Sequence, residues 1–122
     1  MKTLAKIDEI LGELLDMDPE EISPENYLIR ELSAESIDLL EIAVTFNATF
    51  GIDVDDDAIF LKNLRIHLEE ATEQAQDPVE YLCRTYPFLD KARAAQIIGD
   101  VADGPVLKVK DLSAYVNFKL AA

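Results

Sequence analysis

The sequence predicts an all-α protein, and three observations support this fold class. Apolar residues recur at helical spacing in several segments, capping residues and prolines stand where those segments begin, and no stretch shows a strand alternation strong enough to compete. A chain of 122 residues has room for one modest core. We therefore expect a single helical domain over residues 1–122.

Two segments of the first half have the clearest helical periodicity. Residues 3–16 place an apolar stripe on one face, formed by Leu4, Ile7, Leu11 and Leu14. Residues 36–50 predict a second helix, which Gly51 should end in a left-handed conformation. Between them, Asp18-Pro19-Glu20-Glu21 predicts one short turn capped by the aspartate, and residues 23–33 predict a loop that packs across the bundle.

The second half predicts further helices. Asp55-Asp56-Asp57 favours a helix start, and residues 57–76 keep one apolar row and predict a single helix. Asp77-Pro78 starts a short helix that ends before Pro87. Residues 89–101 predict another, and residues 111–120 predict a last helix that buries Leu112, Tyr115 and Val116. Residues 77–82 remain a weaker alternative as the segment that closes the bundle.

The charge of the chain limits its partners. The net charge is −14 with 11 Lys and Arg, which argues against nucleic acid and anionic membrane surfaces as partners. A basic protein surface is the natural complement, although acidity also simply keeps a domain soluble. The chain has no apolar run of about 18 residues and no secretory signal pattern. We therefore expect a cytoplasmic protein without membrane insertion.

The residue inventory offers little for metal or catalytic sites. One histidine, His67, and one cysteine, Cys83, make a zinc site or an internal disulfide improbable, and we expect structural roles for both. The acidic clusters lack the spacing of a calcium loop. We expect no metal site and no catalytic residue.

The candidate chemistry lies in the segment Leu32-Ser33-Ala34-Glu35-Ser36-Ile37-Asp38-Leu39-Leu40-Glu41. Ser36 opens an apolar helix, where free backbone N–H groups and the positive end of the helix dipole would stabilise an attached phosphate. The simpler interpretation is a serine N-cap, because serine caps are common. Leu39, three residues later, closes no capping box with Ser36. Spacing alone leaves both interpretations open.

Glu35-Ser36-Ile37-Asp38-Leu39 resembles the Asp-Ser-Leu-Asp signature of acyl carrier proteins, with Glu in place of Asp and Ile in place of Leu. The similarity extends to residues 7–22, to Phe50-Gly51-Ile52-Asp53-Val54 and to residues 109–116. Together it covers residues 1–57 and 108–120 in order. The resemblance implies a four-helix bundle of the acyl carrier type, with additional helices inserted at about residues 58–107.

The resemblance also implies a function. A phosphopantetheinyl transferase would attach 4′-phosphopantetheine, derived from coenzyme A, to Ser36, and the thiol of this arm would carry acyl intermediates as thioesters. The chain would then be a phosphoprotein and carrier of fatty-acid, polyketide or other lipid metabolism, and not an enzyme. Its partners would be acyl synthetases, ketosynthases or acyltransferases with basic docking surfaces. We expect a monomer.

The residues around the serine would be the ones that partners recognise. By position in the motif, the resemblance assigns partner recognition to Glu35, Ile37, Asp38, Leu39, Leu40 and Glu41, with Asp38 read by the transferase. Two rival hypotheses remain. The arm could carry an aminoacyl or other non-fatty group, or the chain could be an unmodified helical interaction module that has lost the arm.

Two departures from the family pattern point to specialisation. Asn47 and Ala48 stand late in the second helix, where family members usually carry acidic residues, so we expect poor pairing with general fatty-acid enzymes and a specialised pathway. The insertion adds roughly forty residues, too many for a structureless loop. It could be an auxiliary helical layer, or it could enlarge or cover an apolar cavity for a long or unusual acyl chain.

Overall fold

The computed structural model describes the backbone of residues 2–121 and the side chains of residues 3–121; Met1 and Ala122, the ends of the predicted domain, lie outside the described residues. The described chain forms these helices in order: α1 Lys2–Leu15, α2 Ser36–Phe50, α3 Asp56–Ile59, α4 Leu64–Glu73, α5 Pro78–Thr85, α6 Lys91–Asp100 and α7 Val109–Ala121. Single 3₁₀ turns occupy Pro19–Glu21 and Val101–Asp103. Among the helices described, none has the length and apolar character needed to cross a membrane.

A bundle of α1, α2, α3 and α7 forms one part of the fold. Helix α1 packs against both α2 and α7, and α3 contacts α7. Its interior contains side chains with no exposed surface, among them Ile7, Leu11, Ile42, Phe46, Leu112 and Val116. This confirms the predicted all-helical bundle. Helix α5 packs on α4 and α6, so α7 and not residues 77–82 closes the bundle.

Capping residues set most helix ends where the sequence predicts them. The carboxylates of Asp18 and Asp77 accept hydrogen bonds from backbone amides two residues later, at 3.0 and 2.9 Å. Gly51 ends α2 with φ 65°, and its amide donates to the carbonyl of Asn47 at 3.0 Å. A side chain at Gly51 would be strained in this left-handed region. The predicted bounds of α2 are therefore confirmed.

The prediction of one helix over residues 57–76 is wrong, because the chain breaks between α3 and α4. Leu61 adopts φ 53°, in the left-handed region. Its amide donates to the carbonyl of Ala58 at 3.3 Å, and the amide of Lys62 donates to that of Asp57 at 3.1 Å. These two bonds form a Schellman motif, the arrangement that ends many helices. Leucine rarely occupies this position, and its burial offsets the strain.

Helices α4, α5 and α6 form a second layer. Each packs on the next, and the fully buried residues Leu82 of α5 and Ala94 and Ile97 of α6 belong to the same hydrophobic cluster as the bundle interior. An edge-to-face aromatic pair joins the layers, with ring centroids 5.2 Å apart for Phe88 and Tyr115, and Tyr86 packs edge-on against Phe88 at 6.1 Å. The limits of an insertion at residues 58–107 stay a prediction.

A buried ion pair fastens α6 to the start of α7. Arg93 donates from Nε and Nη2 to the two carboxylate oxygens of Asp111, at 2.8 and 2.7 Å, and Nη2 also donates to the carbonyl of Val106 at 2.8 Å. The Asp111 side chain is 1% exposed and also accepts the amide of Lys108 at 2.9 Å. Burial alone would lower the pKa of Arg93, but the hydrogen bond to Asp111 and the attraction of nearby negative charges, that of Asp111 first, together outweigh burial and raise the pKa. Both charges are thus fully partnered.

Removing one member of this pair should destabilise the fold strongly. Arg93→Met leaves the Asp111 carboxylate buried without its partner, so the free energy of unfolding should fall by about 3–5 kcal/mol. Urea unfolding followed by circular dichroism measures the change. Arg84→Met, at an exposed arginine of α5, should cost no more than about 1 kcal/mol. Equal losses in the two variants would contradict this role of the pair.

Candidate functional site

Glu35, and not Ser36, is the N-cap of α2. The backbone of Glu35 is extended (φ −107°, ψ 172°), and its amide donates to Oδ2 of Asp38 at 2.8 Å. This hydrogen bond, from the N-cap amide to the carboxylate of the N3 residue, is one of the two that define a capping box. Ser36 is therefore the first residue within the helix, and the N-cap interpretation of the serine is wrong. The Glu35-to-Asp38 spacing carried this signal in the sequence, one residue before the position considered.

The side chain of Ser36 is available for chemistry. The residue is exposed, and its hydroxyl takes part in none of the hydrogen bonds between the side chains and backbone of residues 3–121. It stands at the N-terminus of a helix of 15 residues. First-turn N–H groups and the helix dipole favour an anion at such a position. A phosphate ester on this oxygen would meet both without displacing an existing partner.

The predicted recognition residues divide into an outer and an inner set. Ile37 and Leu40 are 62% and 58% exposed, and Glu35 and Glu41 are also exposed. Asp38 and Leu39 are half-buried. The carboxylate of Asp38 is engaged as the acceptor for the Glu35 amide. Val44, 64% exposed, extends the apolar row of Ile37 and Leu40 by another turn, although it is not among the recognition residues predicted from the sequence.

A groove of about 230 Å³ lies beside Ser36, between α2 and residues 56–62. Its walls are formed by Ser36, Leu39, Leu40, Asp56, Phe60 and Lys62. Lys62 is the one cation among these residues, and the Schellman motif at Leu61 determines its place. The groove thus combines an exposed hydroxyl, apolar walls and one ammonium group. This combination fits a phosphodiester followed by a less polar chain.

Asn47 and His67, which the sequence singled out, lie outside the groove and contact other parts of the fold. Asn47 donates from Nδ2 to the carbonyl of Ile52 at 2.6 Å, so it stabilises the turn that follows Gly51. His67 lies 2.9 Å from Glu70 through Nδ1 and packs edge-on against Tyr86. Within the described part of the chain, no three His, Cys, Asp or Glu side chains converge into a group suited to a metal ion.

Comparison with known proteins decides the family. The family model described as the phosphopantetheine attachment site matches residues 5–65, half of the chain. The chain is 37% identical over 57 residues to an acyl carrier protein of Nitratidesulfovibrio vulgaris (strain Miyazaki F), covering 47% of this chain and 75% of that protein. This chain belongs to the acyl carrier protein family.

Other relatives give the same result over a shorter stretch. An acyl carrier protein of Picosynechococcus sp. (strain PCC 7002) is 40% identical over 52 residues, which is 43% of this chain and 64% of that protein. One of Thermotoga maritima is 36% identical over 52 residues, also 43% of this chain and 64% of that protein. For these two, the chain spans slightly less than two thirds of the relative. Membership implies a covalently attached 4′-phosphopantetheine, and the members of this family are carriers and not enzymes.

The hydrogen bond from the Glu35 amide to the Asp38 carboxylate should contribute measurably to the free energy of unfolding. Asp38→Ala removes the acceptor for the Glu35 amide, so the free energy of unfolding should fall by about 1 kcal/mol and amide exchange in the first turn of α2 should accelerate. Glu41→Ala, at an exposed position one turn later, should change the free energy by less than about 0.5 kcal/mol. Urea unfolding and hydrogen exchange test this, and equal behaviour of both variants would contradict it.

Proposed function

We propose that this protein carries acyl groups as thioesters on a 4′-phosphopantetheine arm attached to Ser36. The observation that carries this proposal is the exposed, unengaged hydroxyl of Ser36 at the first position of α2, within a segment that matches the phosphopantetheine attachment family. The hydroxyl oxygen would attack the coenzyme A phosphate next to pantetheine on the surface of a transferase. The new bond from the serine oxygen to phosphorus would form as the P–O–P linkage of coenzyme A breaks, 3′,5′-ADP would leave, and the hydroxyl proton would pass to a base of the transferase.

Each part of this carrier has a separate task. The Glu35–Asp38 cap fixes the start of α2 and keeps the Ser36 oxygen at the surface. The first turn of α2 stabilises the phosphodiester through its N–H groups and dipole. When bound, the arm supplies a thiol for the acyl group, and the chemistry of elongation belongs to the partner enzymes. The chain itself provides the attachment point for the arm and the surface that partner enzymes recognise.

The exposed face of α2 is the proposed contact for partners. Ile37, Leu40 and Val44 form an apolar row there, beside the exposed carboxylate of Glu41. Expected partners are a phosphopantetheinyl transferase, acyl synthetases, ketosynthases and acyltransferases with basic surfaces, in the cytoplasm. Because Asn47 and Ala48 add no charge to this face, electrostatic steering by general fatty-acid enzymes should be weak, which supports a specialised pathway.

Intact mass tests the attachment. Incubation with coenzyme A and a broad-specificity transferase should add about 340 Da to the full chain. Ser36→Ala should abolish the gain, whereas Ser33→Ala, at the nearest exposed serine, should retain it. A helical interaction module without an arm would gain no mass in any form. A gain that survives Ser36→Ala would place the arm elsewhere.

Turnover with a general ketosynthase tests the specialised pathway. The acyl-loaded protein should be used about tenfold less efficiently than a typical acyl carrier protein, a loss of about 1.4 kcal/mol. Ala48→Glu should raise its use at low salt by restoring a carboxylate to the α2 face. Ala95→Glu, the same change at an exposed site on α6, should not. If the acyl-loaded protein without substitutions is used as efficiently as a typical acyl carrier protein, a housekeeping role is indicated instead.

A further inference from the structure

A second cavity lies next to the groove at Ser36. It has a volume of about 290 Å³, close to the lower end of the range of small-molecule sites, about 300–1,000 Å³. Its apolar walls come from three places in the fold: the loop before α2, the segment from the end of α3 to the first turn of α4, and the 101–107 loop. They include Ile29, Leu61, Leu64, Val101, Val106 and Leu107.

The groove and the cavity share a boundary. Phe60 and Lys62 line both of them, so the residues that end the Ser36 groove also begin the second cavity. The cavity lies outside the bundle interior, since the fully buried residues Ile7, Ile42 and Phe46 take no part in its walls. A chain that starts at Ser36 and follows the groove therefore passes residues that also line the cavity.

One positive charge, that of Lys62, lies at the boundary and can pair with an anion attached to Ser36. Glu35 and Asp38 flank the serine, and Asp56 lines the groove, so a phosphodiester there meets several negative charges. Lys62 is the one groove residue of opposite sign, it is exposed, and it forms none of the ion pairs within 4.0 Å among residues 3–121. Its ammonium group is thus free to pair with the phosphodiester.

The far wall of the cavity is held in place by hydrogen bonds. Arg65 of α4 donates from Nη2 to the carbonyl of Val101 at 3.0 Å, and Arg30 donates from Nη2 to the carbonyl of Gly104 at 3.0 Å. Arg30 also pairs with Asp100 at 3.1 Å. The hydrogen bond from Tyr27 and the contact with Arg30 hold the pKa of Asp100 below its ordinary range. The Asp100 carboxylate that anchors Arg30 is therefore charged at neutral pH. The 101–107 loop is therefore built into the cavity wall.

We propose that the loaded arm rests against the second layer, with Lys62 paired to its phosphodiester and the distal part of an apolar acyl chain in the cavity beneath the 101–107 loop. This inference rests on attachment of the arm to Ser36. It assigns residues 60–66 and 101–107, together with Ile29, the task of sheltering the cargo outside the core. Lys62 is a binding residue for the arm, and the cavity selects acyl chains long enough to reach it.

Nuclear magnetic resonance of the full chain tests the proposal. Samples carry acetyl or octanoyl groups on the arm, and intact mass confirms loading of each. The octanoyl form should shift the amides of Val101, Val106 and Leu107 more than the acetyl form does. Larger shifts at Ile42 and Phe46 than in this loop would overturn the proposal, because they would place the chain within the bundle core.

Matched variants separate the two parts of the site. Lys62→Gln should remove contacts between the methyl groups of the arm and the Phe60 ring, whereas Lys91→Gln, at an exposed lysine that lines neither the groove nor the cavity, should keep them. Ile66→Asp places a carboxylate in the wall at a residue that is 56% exposed and should abolish the octanoyl shifts. Leu120→Asp, at a residue that is 50% exposed, should not.

The outcomes distinguish this inference from the proposed function. If no mass is gained at Ser36, the carrier function fails and with it the inference. If loading is complete but Lys62→Gln changes nothing and the octanoyl and acetyl spectra agree over residues 101–107, the carrier function stands and the inference is overturned.

Discussion

The hydrogen bond from the Glu35 amide to the Asp38 carboxylate determines where α2 begins, and the site depends on that boundary. If α2 began one residue later, Ser36 would be the cap and its hydroxyl would be engaged by backbone amides. With Glu35 as the cap, the serine oxygen is exposed and unengaged at the positive end of the helix. Ser36, which would otherwise cap the helix, is thereby available for a covalent attachment.

The second layer is coupled to this site through few but well-formed contacts. The buried pair of Arg93 and Asp111 joins α6 to α7, and the Tyr115 hydroxyl accepts the amide of Asp55 at 2.9 Å, joining α7 to the cap of α3. Helix α3 then leads through Leu61 to Lys62 at the groove. The position of Lys62 therefore depends on how α3 packs on α7.

The sequence predicted the elements whose signals are local. Asp77-Pro78 marked the start of α5, Gly51 marked the end of α2, and the serine motif marked the candidate site, because caps, turns and motifs act over a few residues. The break at Leu61 was missed, since a leucine takes the conformation that sequence patterns reserve for glycine or asparagine. The pairing of Arg93 with Asp111 joins residues far apart in the chain, and no periodicity indicates it.

The modification state in the native host tests the central claim most directly. The protein is purified from that host, digested, and its peptides are fragmented in a mass spectrometer. The account predicts a phosphopantetheine ester, with or without an acyl group, on the peptide that contains Ser36, together with release of the pantetheine fragment on collision. A chain that is fully unmodified there, or an arm found on another residue, would contradict it.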